Sequence, residues 1–527
     1  EEAGLPVDTR EASVLPPEPK KAPLPSPTSA PVPANLVQDP APAPACEPGF
    51  RPTVLDARVT GTAFEKFLFA RRGELDIQRP GFVETVQLPF LHGKGHNCAL
   101  VGAFALDPQG NPYMILKHGD TRLSRFLRGD PYVLLGFVGG RMDKVGADFP
   151  KIALGELPEE VGGVPVEGAF RRLGGGLSPT MPMESTESDA YFCALVVLAQ
   201  APTGDGGGSE LTGLIGPELV PAREGLDAFR DGRVADAGRA RTVYARTFDS
   251  MGYIPQLGVY VLDHPELAAR FDTLGLGPVQ DPRRLARDVE LDPALEPPPP
   301  QRDDRGAVNG VVFTGRTDVP LDQGALMVDA TTQHAVLGDG PAVAVAEPFP
   351  NQAALFKHDR AKVAVYARHP EQGPMVYMPA CERPLLAFKG LALGGECDTS
   401  QENTELVRRD VVDLTLSRQE DPGSQVLRRL ARTGRLERLA EPTSASSGQC
   451  DLKYHYYSLE VPPPSDWSDF VPLSDAIALC RTPPVQADSQ TEGLCLGGLA
   501  DRLGWIPGLR MTVDQARQLL NLPEPAG

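Results

Sequence analysis

Apolar residues recur along the chain in two rhythms. Short runs at Phe64–Ala70, Val83–Phe90, Ala99–Asp107, Tyr113–Lys117, Tyr132–Val138 and Ala190–Leu198, bounded by Gly, Pro, Asn and Asp, predict strands. Phe149–Val161 and Asp236–Met251 keep a helical period instead. Asp107-Pro108-Gln109-Gly110-Asn111 is a hairpin turn, and Gly139-Gly140 turns the chain toward the acidic helix. The resulting order is strand, hairpin, strand, glycine turn, helix, long polar loop, strand and closing helix. It predicts a mixed sheet flanked by helices.

The same order returns later in the chain. Ala235-Asp236 through Gly252-Tyr253-Ile254-Pro255-Gln256-Leu257 aligns without a gap on Ala487-Asp488 through Gly504-Trp505-Ile506-Pro507-Gly508-Leu509. Tyr191–Val197 corresponds to Tyr454–Glu460, Leu134–Gly140 to Leu385–Gly390, and Cys98–Asp107 to Lys362–His369. Two copies of one α/β domain account for this repetition. Their expected limits are 53–277 and 307–527. A Pro/Ala-rich tail over 1–52, with no aromatic residue before Phe50, is expected to be disordered, and a Pro-rich linker fills 278–306. At 527 residues, the length alone suggests about three to four domain-sized units.

Composition narrows the function. Lys and Arg total 51 against 70 Asp and Glu, a net charge of −19, which opposes general binding to nucleic acid or anionic lipid. No apolar run approaches the roughly 18 residues of a membrane-spanning helix. The eight cysteines contain no C-x-x-C pair. Scattered buried thiols are the expectation, with a disulfide set left open. The first residue is Glu1 rather than Met, as in a processed export product or a fragment; a cytoplasmic location and export both stay open. No phosphate-binding P-loop, dinucleotide fingerprint or nucleophile elbow is present.

Chemistry concentrates at Gly155-Glu156-Leu157-Pro158-Glu159-Glu160-Val161-Gly162, downstream of Gly139-Gly140. On a helix, Glu156, Glu159 and Glu160 share one face. Clustered carboxylates repel unless a cation lies between them, and oxygen ligands of this kind suit Mg²⁺ or Mn²⁺. The stretch resembles the second half of the Nudix hydrolase box, G-x5-E-x7-R-E-U-x-E-E-x-G-U. Leu177-Ser178-Pro179 and Glu187 ahead of Tyr191-Phe192 look like the ADP-ribose pyrophosphatase branch, and Gly232-Arg233-Val234-Ala235-Asp236-Ala237 fits the family's C-terminal helix.

That resemblance implies tandem Nudix-type α/β/α sandwiches with mixed sheets. It further implies Mg²⁺-dependent hydrolysis of a nucleoside diphosphate linked to another group, with Glu156, Glu159 and Glu160 as metal ligands and Glu187 as catalytic base. The chain departs from the family pattern in places: Gly155 holds the family's Arg position, the upstream Glu is missing, and Pro158 falls inside the helix. In the second copy, Arg409–Leu416 is the corresponding stretch, with Asp410 and Asp413 as shortened acids and Leu414 in place of a glutamate; the loop Ser446–Asp451 has no Glu. The second copy is read as silent and as the intramolecular partner of the first. The alternative is a catalytically inactive Nudix-fold protein that binds a nucleotide or a protein partner, with the Pro-rich tail as tether. His92 and His96, and Arg171-Arg172, are secondary candidates for metal and diphosphate contact, each with a plain surface or loop reading beside it, while Thr203–Ser209 reads as a flexible excursion rather than a phosphate cradle.

Overall fold

The computed structural model describes residues 52–65, 68–93, 97–117, 135–142, 146–198, 217–286, 308–321, 326–337, 342–397, 399–430, 435–446 and 449–523. Contacts divide the chain into Glu1–Phe50 and Arg51–Gly527, and the architecture below belongs to the second unit. The expected tail, Tyr132–Leu134, His96, Thr203–Ser209 and the Pro297–Pro300 stretch lie outside the described residues.

Strands β1 (Thr53–Glu65), β2 (Leu68–Arg79) and β3 (Phe82–Gly93) form an antiparallel meander. The run Phe64–Ala70 is thus not one strand. Its described residues belong to two paired strands, Phe64 opposite Ala70 and Glu65 opposite Phe69, so Phe64 lies at the end of β1 while Leu68, Phe69 and Ala70 open β2.

A mixed sheet follows, built from β4 (Asn97–Leu106), β5 (Pro112–Lys117), β6 (Val138–Arg141), β7 (Gly163–Pro165), β8 (Arg171–Arg172), β9 (Ser178–Pro179), β10 (Ser188–Leu198) and β11 (Pro217–Pro221). Its order is β11-β5-β4-β10-β7, with β6 paired to β4 and with β8 and β9 paired to β10. Central strands β4 and β10 run parallel, Leu100 opposite Tyr191. Both are apolar at nearly every position because both of their faces are covered. Ala190, Phe192, Ala194 and Val196 meet helix α1 (Phe149–Val161) through Ala153, Leu157 and Val161. Tyr191, Cys193 and Leu195 face the other way, into the core that holds Val243, Tyr244 and Phe248 of helix α3 (Ala237–Met251). Between them, helix α2 (Ala222–Arg230) follows β11 directly.

After a second meander, β12 (Val308–Pro320), β13 (Leu326–Leu337) and β14 (Ala342–Leu355), the connectivity returns. The second sheet comprises β15 (His358–His369), β16 (Gly373–Tyr377), β17 (Val412–Ser417), β18 (Arg435–Ser444), β19 (Lys453–Glu460) and β20 (Phe470–Pro472). Its order is β18-β19-β15-β16-β20 with β17 on β15, and β15 and β19 are again parallel.

Two of the expected correspondences need correction. Leu385–Gly390 lies in helix α4 (Pro384–Ala392), where Pro384 opens a run of good helix formers, and so it does not match the strand at 138–141. Arg409–Leu416 is largely strand, since Val412, Leu414 and Leu416 alternate at period two; the helix in the place of α1 is α5 (Pro422–Leu430).

The two halves share a core. Leu494, Cys495 and Leu499, from the π-helical turn Thr491–Leu496 and helix α7 after it (Gly497–Arg502), join the same apolar cluster as α3; helix α6 is Leu473–Arg481. Contact there is backbone on backbone: a Cβ on Gly493 would collide with the Gly238 carbonyl oxygen. Around this crossing Glu492 accepts from Arg246 at 2.6 Å and from Arg481 at 2.6 Å, and Arg481 also reaches Asp249 at 2.7 Å. No helix among the described residues is long and apolar enough to cross a membrane.

Candidate functional site

Helix α1 begins after Asp148 with Pro150 in its first turn, and stops at Gly162, which takes the left-handed conformation (φ 66°) and donates to the Leu157 carbonyl. The helix continues through Pro158. The hydrogen bond this proline cannot make is the one to the Leu154 carbonyl, and Leu154 is exposed, so the lost bond falls where water can replace it.

The three helix glutamates do not share one environment. Glu160 is buried: the Gly139 N–H donates to its Oε2 at 2.9 Å, and the Lys117 ammonium at the end of β5 pairs with its Oε1. Glu156 lies over the next glycine, where a Cβ on Gly140 would collide with Glu156 Oε1. The glycine pair therefore seats the two carboxylates against β6. Glu159 is exposed to solvent. Among the described residues, the group that brings three possible ligand atoms within 4.8 Å of one another is Cys98, Glu187 and Asp189, not the helix trio.

Glu187 is 1% exposed and precedes β10. Arg141 reaches its Oε2 at 2.8 Å, Arg239 its Oε1 at 2.9 Å, and Gln449, from the second half, donates to Oε2 as well. Desolvation alone would raise its pKa, but Arg239 and Arg141 outweigh it and the carboxyl is held below its usual range. Arg239 also clasps Asp189 with two bonds, of 2.9 and 2.5 Å. Asp189, by contrast, is pushed up to about 6 by burial, against the pull of Arg239. Burial also pushes the Cys98 thiol up to about 12, away from the thiolate a metal needs. Glu187, Asp189 and their two arginines form an internally neutralised knot.

The second half has its own knot. Lys362, fully buried, contacts Asp488 at 2.6 Å, Asp413 at 3.0 Å and Asp410 at 3.2 Å. Arg383 holds Asp410 at 2.5 Å and Arg360 holds Asp413 at 2.8 Å. Desolvation again works to raise Asp413, and Lys362, Arg360 and Arg383 pull it down instead.

Sequence reasoning singled out the acids and missed the cations that hold them: Lys117, Arg141, Arg239, Lys362 and Arg383. A usable signal was present in two of them, because Lys117 closes an otherwise apolar strand and Lys362 interrupts one. Of the secondary candidates, His92 is buried, its Nδ1 lies 2.9 Å from Thr186 Oγ1, and its ring stacks on Phe69. Arg171 donates to the Ser250 and Pro278 carbonyls. The seven described cysteines are all free thiols.

No family model matches the chain, and no curated protein matches it. Among solved structures it is similar to an ADP compounds hydrolase, at 17% identity and a TM-score of 0.23, over 34% of this chain and 84% of that one. A likeness this distant leaves the functional reading to the geometry above.

Proposed function

We propose that this chain works by binding rather than by hydrolysis, on a tandem Nudix-like scaffold whose acidic sites are closed by the protein's own cations. One observation carries the reading: the buried Lys117 ammonium is paired with Glu160, the carboxylate that a divalent ion would need. Mg²⁺ or Mn²⁺, implied by the sequence resemblance, does not fit these residues. Glu160 is already neutralised, Glu159 faces solvent, and Gly155 supplies no arginine to brace the helix acids. Glu187 is no better placed as a base. A general base needs a pKa near the working pH, and two guanidinium groups hold this one low.

Recurrence of one strand order in both halves supports a duplicated domain, and the α3 crossing supports pairing of the copies within the chain. Lys362 in its nest of three aspartates supports a silent second copy. The competing reading is Mg²⁺-dependent hydrolysis with Glu156, Glu159 and Glu160 as ligands and Glu187 as base.

The two readings separate in one assay. Full-length chain is incubated with Mg²⁺ and ADP-ribose, and AMP release is followed beside a Glu159→Gln/Glu160→Gln double variant. Equal, background-level release in both is expected. Release by the wild type that the double variant lacks overturns the proposal in favour of the hydrolase.

A further inference from the structure

A cavity of about 410 Å³ opens between the first meander, the start of β15 and the loop ahead of β10. Its size falls within the usual range for small-molecule sites, roughly 300–1,000 Å³. It stands apart from α1 and its glutamates, so what it does is independent of whether the chain hydrolyses anything.

Three features of its wall differ from the rest of this acidic molecule. Leu88, Phe90 and Phe356 supply an apolar surface. Arg72 and Lys357, both exposed, stand where the cavity meets solvent, and His358 lies beside them. Among the described residues of the lining, the single acid is Glu184, which is 7% exposed. Its Oε1 accepts from Arg360 at 3.0 Å, but its Oε2 is buried without any hydrogen-bond partner. A buried carboxylate oxygen left unpaired has lost its water and gained nothing in return, and a donor brought by a ligand would remove that penalty. Arg71 lines the same wall, and its Nε is likewise a buried donor without an acceptor.

We infer that this cavity is a binding site for a small aromatic anion that also carries an N–H or O–H donor. The ring packs between Leu88, Phe90 and Phe356, the anionic group meets Arg72 and Lys357, and the Glu184 side chain, whose Oε2 is closed to solvent, turns toward the cavity to accept from the donor. A carboxylate or a phosphate can serve as the anionic group, so the shared chemistry is the flat apolar body with a charge at one end and a donor at the other.

Calorimetric titration of the full chain in EDTA tests each part. Indole-3-acetate has the ring, the carboxylate and one N–H; 1-methylindole-3-acetate lacks the donor, indole lacks the charge, and AMP replaces carboxylate with phosphate. Saturable one-to-one binding of indole-3-acetate or of AMP is expected, the one that binds identifying the anionic group. If the carboxylate binds, removing the N–H or the charge should weaken it about tenfold or more. Lys357→Glu, an exposed position that threatens no folding, should weaken either ligand by a similar factor, and so should Glu184→Gln where its melting temperature is unchanged. Absence of binding by both anions at millimolar concentration overturns the inference. So does binding that neither Lys357→Glu nor removal of the donor alters.

Discussion

Lys117 and Glu160 approach each other from different elements, the lysine closing β5 and the glutamate in the last turn of α1, and both are buried. An ion pair in that position is costly to break from one side, since the remaining charge stays in a low-dielectric setting. Lys117→Ala is expected to lower the unfolding free energy by about 3–5 kcal/mol, and Lys117→Met combined with Glu160→Leu to recover most of the loss. Urea unfolding of the three proteins measures both. The same variant tests whether the lysine stands in for a metal: Mn²⁺ should raise the melting temperature of Lys117→Ala and leave the wild type unmoved.

Glu187 leads to a different expectation. Its substitution by Gln would leave Arg141 and Arg239 facing a neutral amide, with Asp189 and the more distant Asp236, at 3.8 Å, left to balance Arg239. Destabilisation of several kcal/mol is expected. Because Gln449 reaches Glu187 across the halves, the loss should show in calorimetry as a lower melting temperature of the whole Arg51–Gly527 unit. A Glu187→Gln protein that melts like the wild type would contradict the structural role.

The acid limb of stability should run through Glu492. Desolvation tends to raise its pKa, yet Arg246 and Arg481 prevail and hold it below the ordinary value of 4.5. A carboxyl lowered on folding stabilises the native state at pH above its unfolded value, and that stabilisation disappears as pH falls through the folded value. Wild-type stability should therefore drop below about pH 4.5, and Glu492→Gln should be less stable at pH 7 while losing less of its stability on acidification. Urea midpoints at pH 7, 5 and 4 check the sign.

Much of the scaffold is legible in the sequence, and the reason differs by element. The ends of α1 and α3 can be read because local rules set them: Pro150 starts the first helix, and Gly162 and Gly252 take left-handed conformations at the two C-termini. Strand β10 is legible because burial on both faces leaves an unmistakable apolar run. The second half misleads where composition imitates the first; Leu385-Leu386 looks like Leu134-Leu135 until Pro384 and the packing of Phe388 against Phe90 make it helix. The site is legible only by half. Glu156 and Glu160 are found together on β6's glycines as helical spacing requires, while the cations that neutralise the acids arrive from distant strands and helices that no local spacing reveals.

Gly493 offers the sharpest test of the intramolecular pairing. A methyl group there would overlap the Gly238 carbonyl oxygen and lie 2.8 Å from Thr242 Oγ1, and the first of these is backbone that cannot swing aside. Arg241, which donates to the Gly493 carbonyl and pairs with Asp501, is anchored to the same crossing. Gly493→Ala must therefore push α3 and the 491–502 helix apart, with a cost of about 1–3 kcal/mol or more, as for other overpacked contacts. At Gly395 and Gly504 an added methyl group would meet no heavy atom within 4 Å, but Gly504 has φ 56° and would be strained by any side chain, so Gly395→Ala is the matched control and should be near neutral. If the halves are held by this crossing, hydrogen exchange should rise in both α3 and 491–502 in Gly493→Ala, with β4 and β15 protected. Exchange confined to 491–502 would mean that the first half does not depend on the contact.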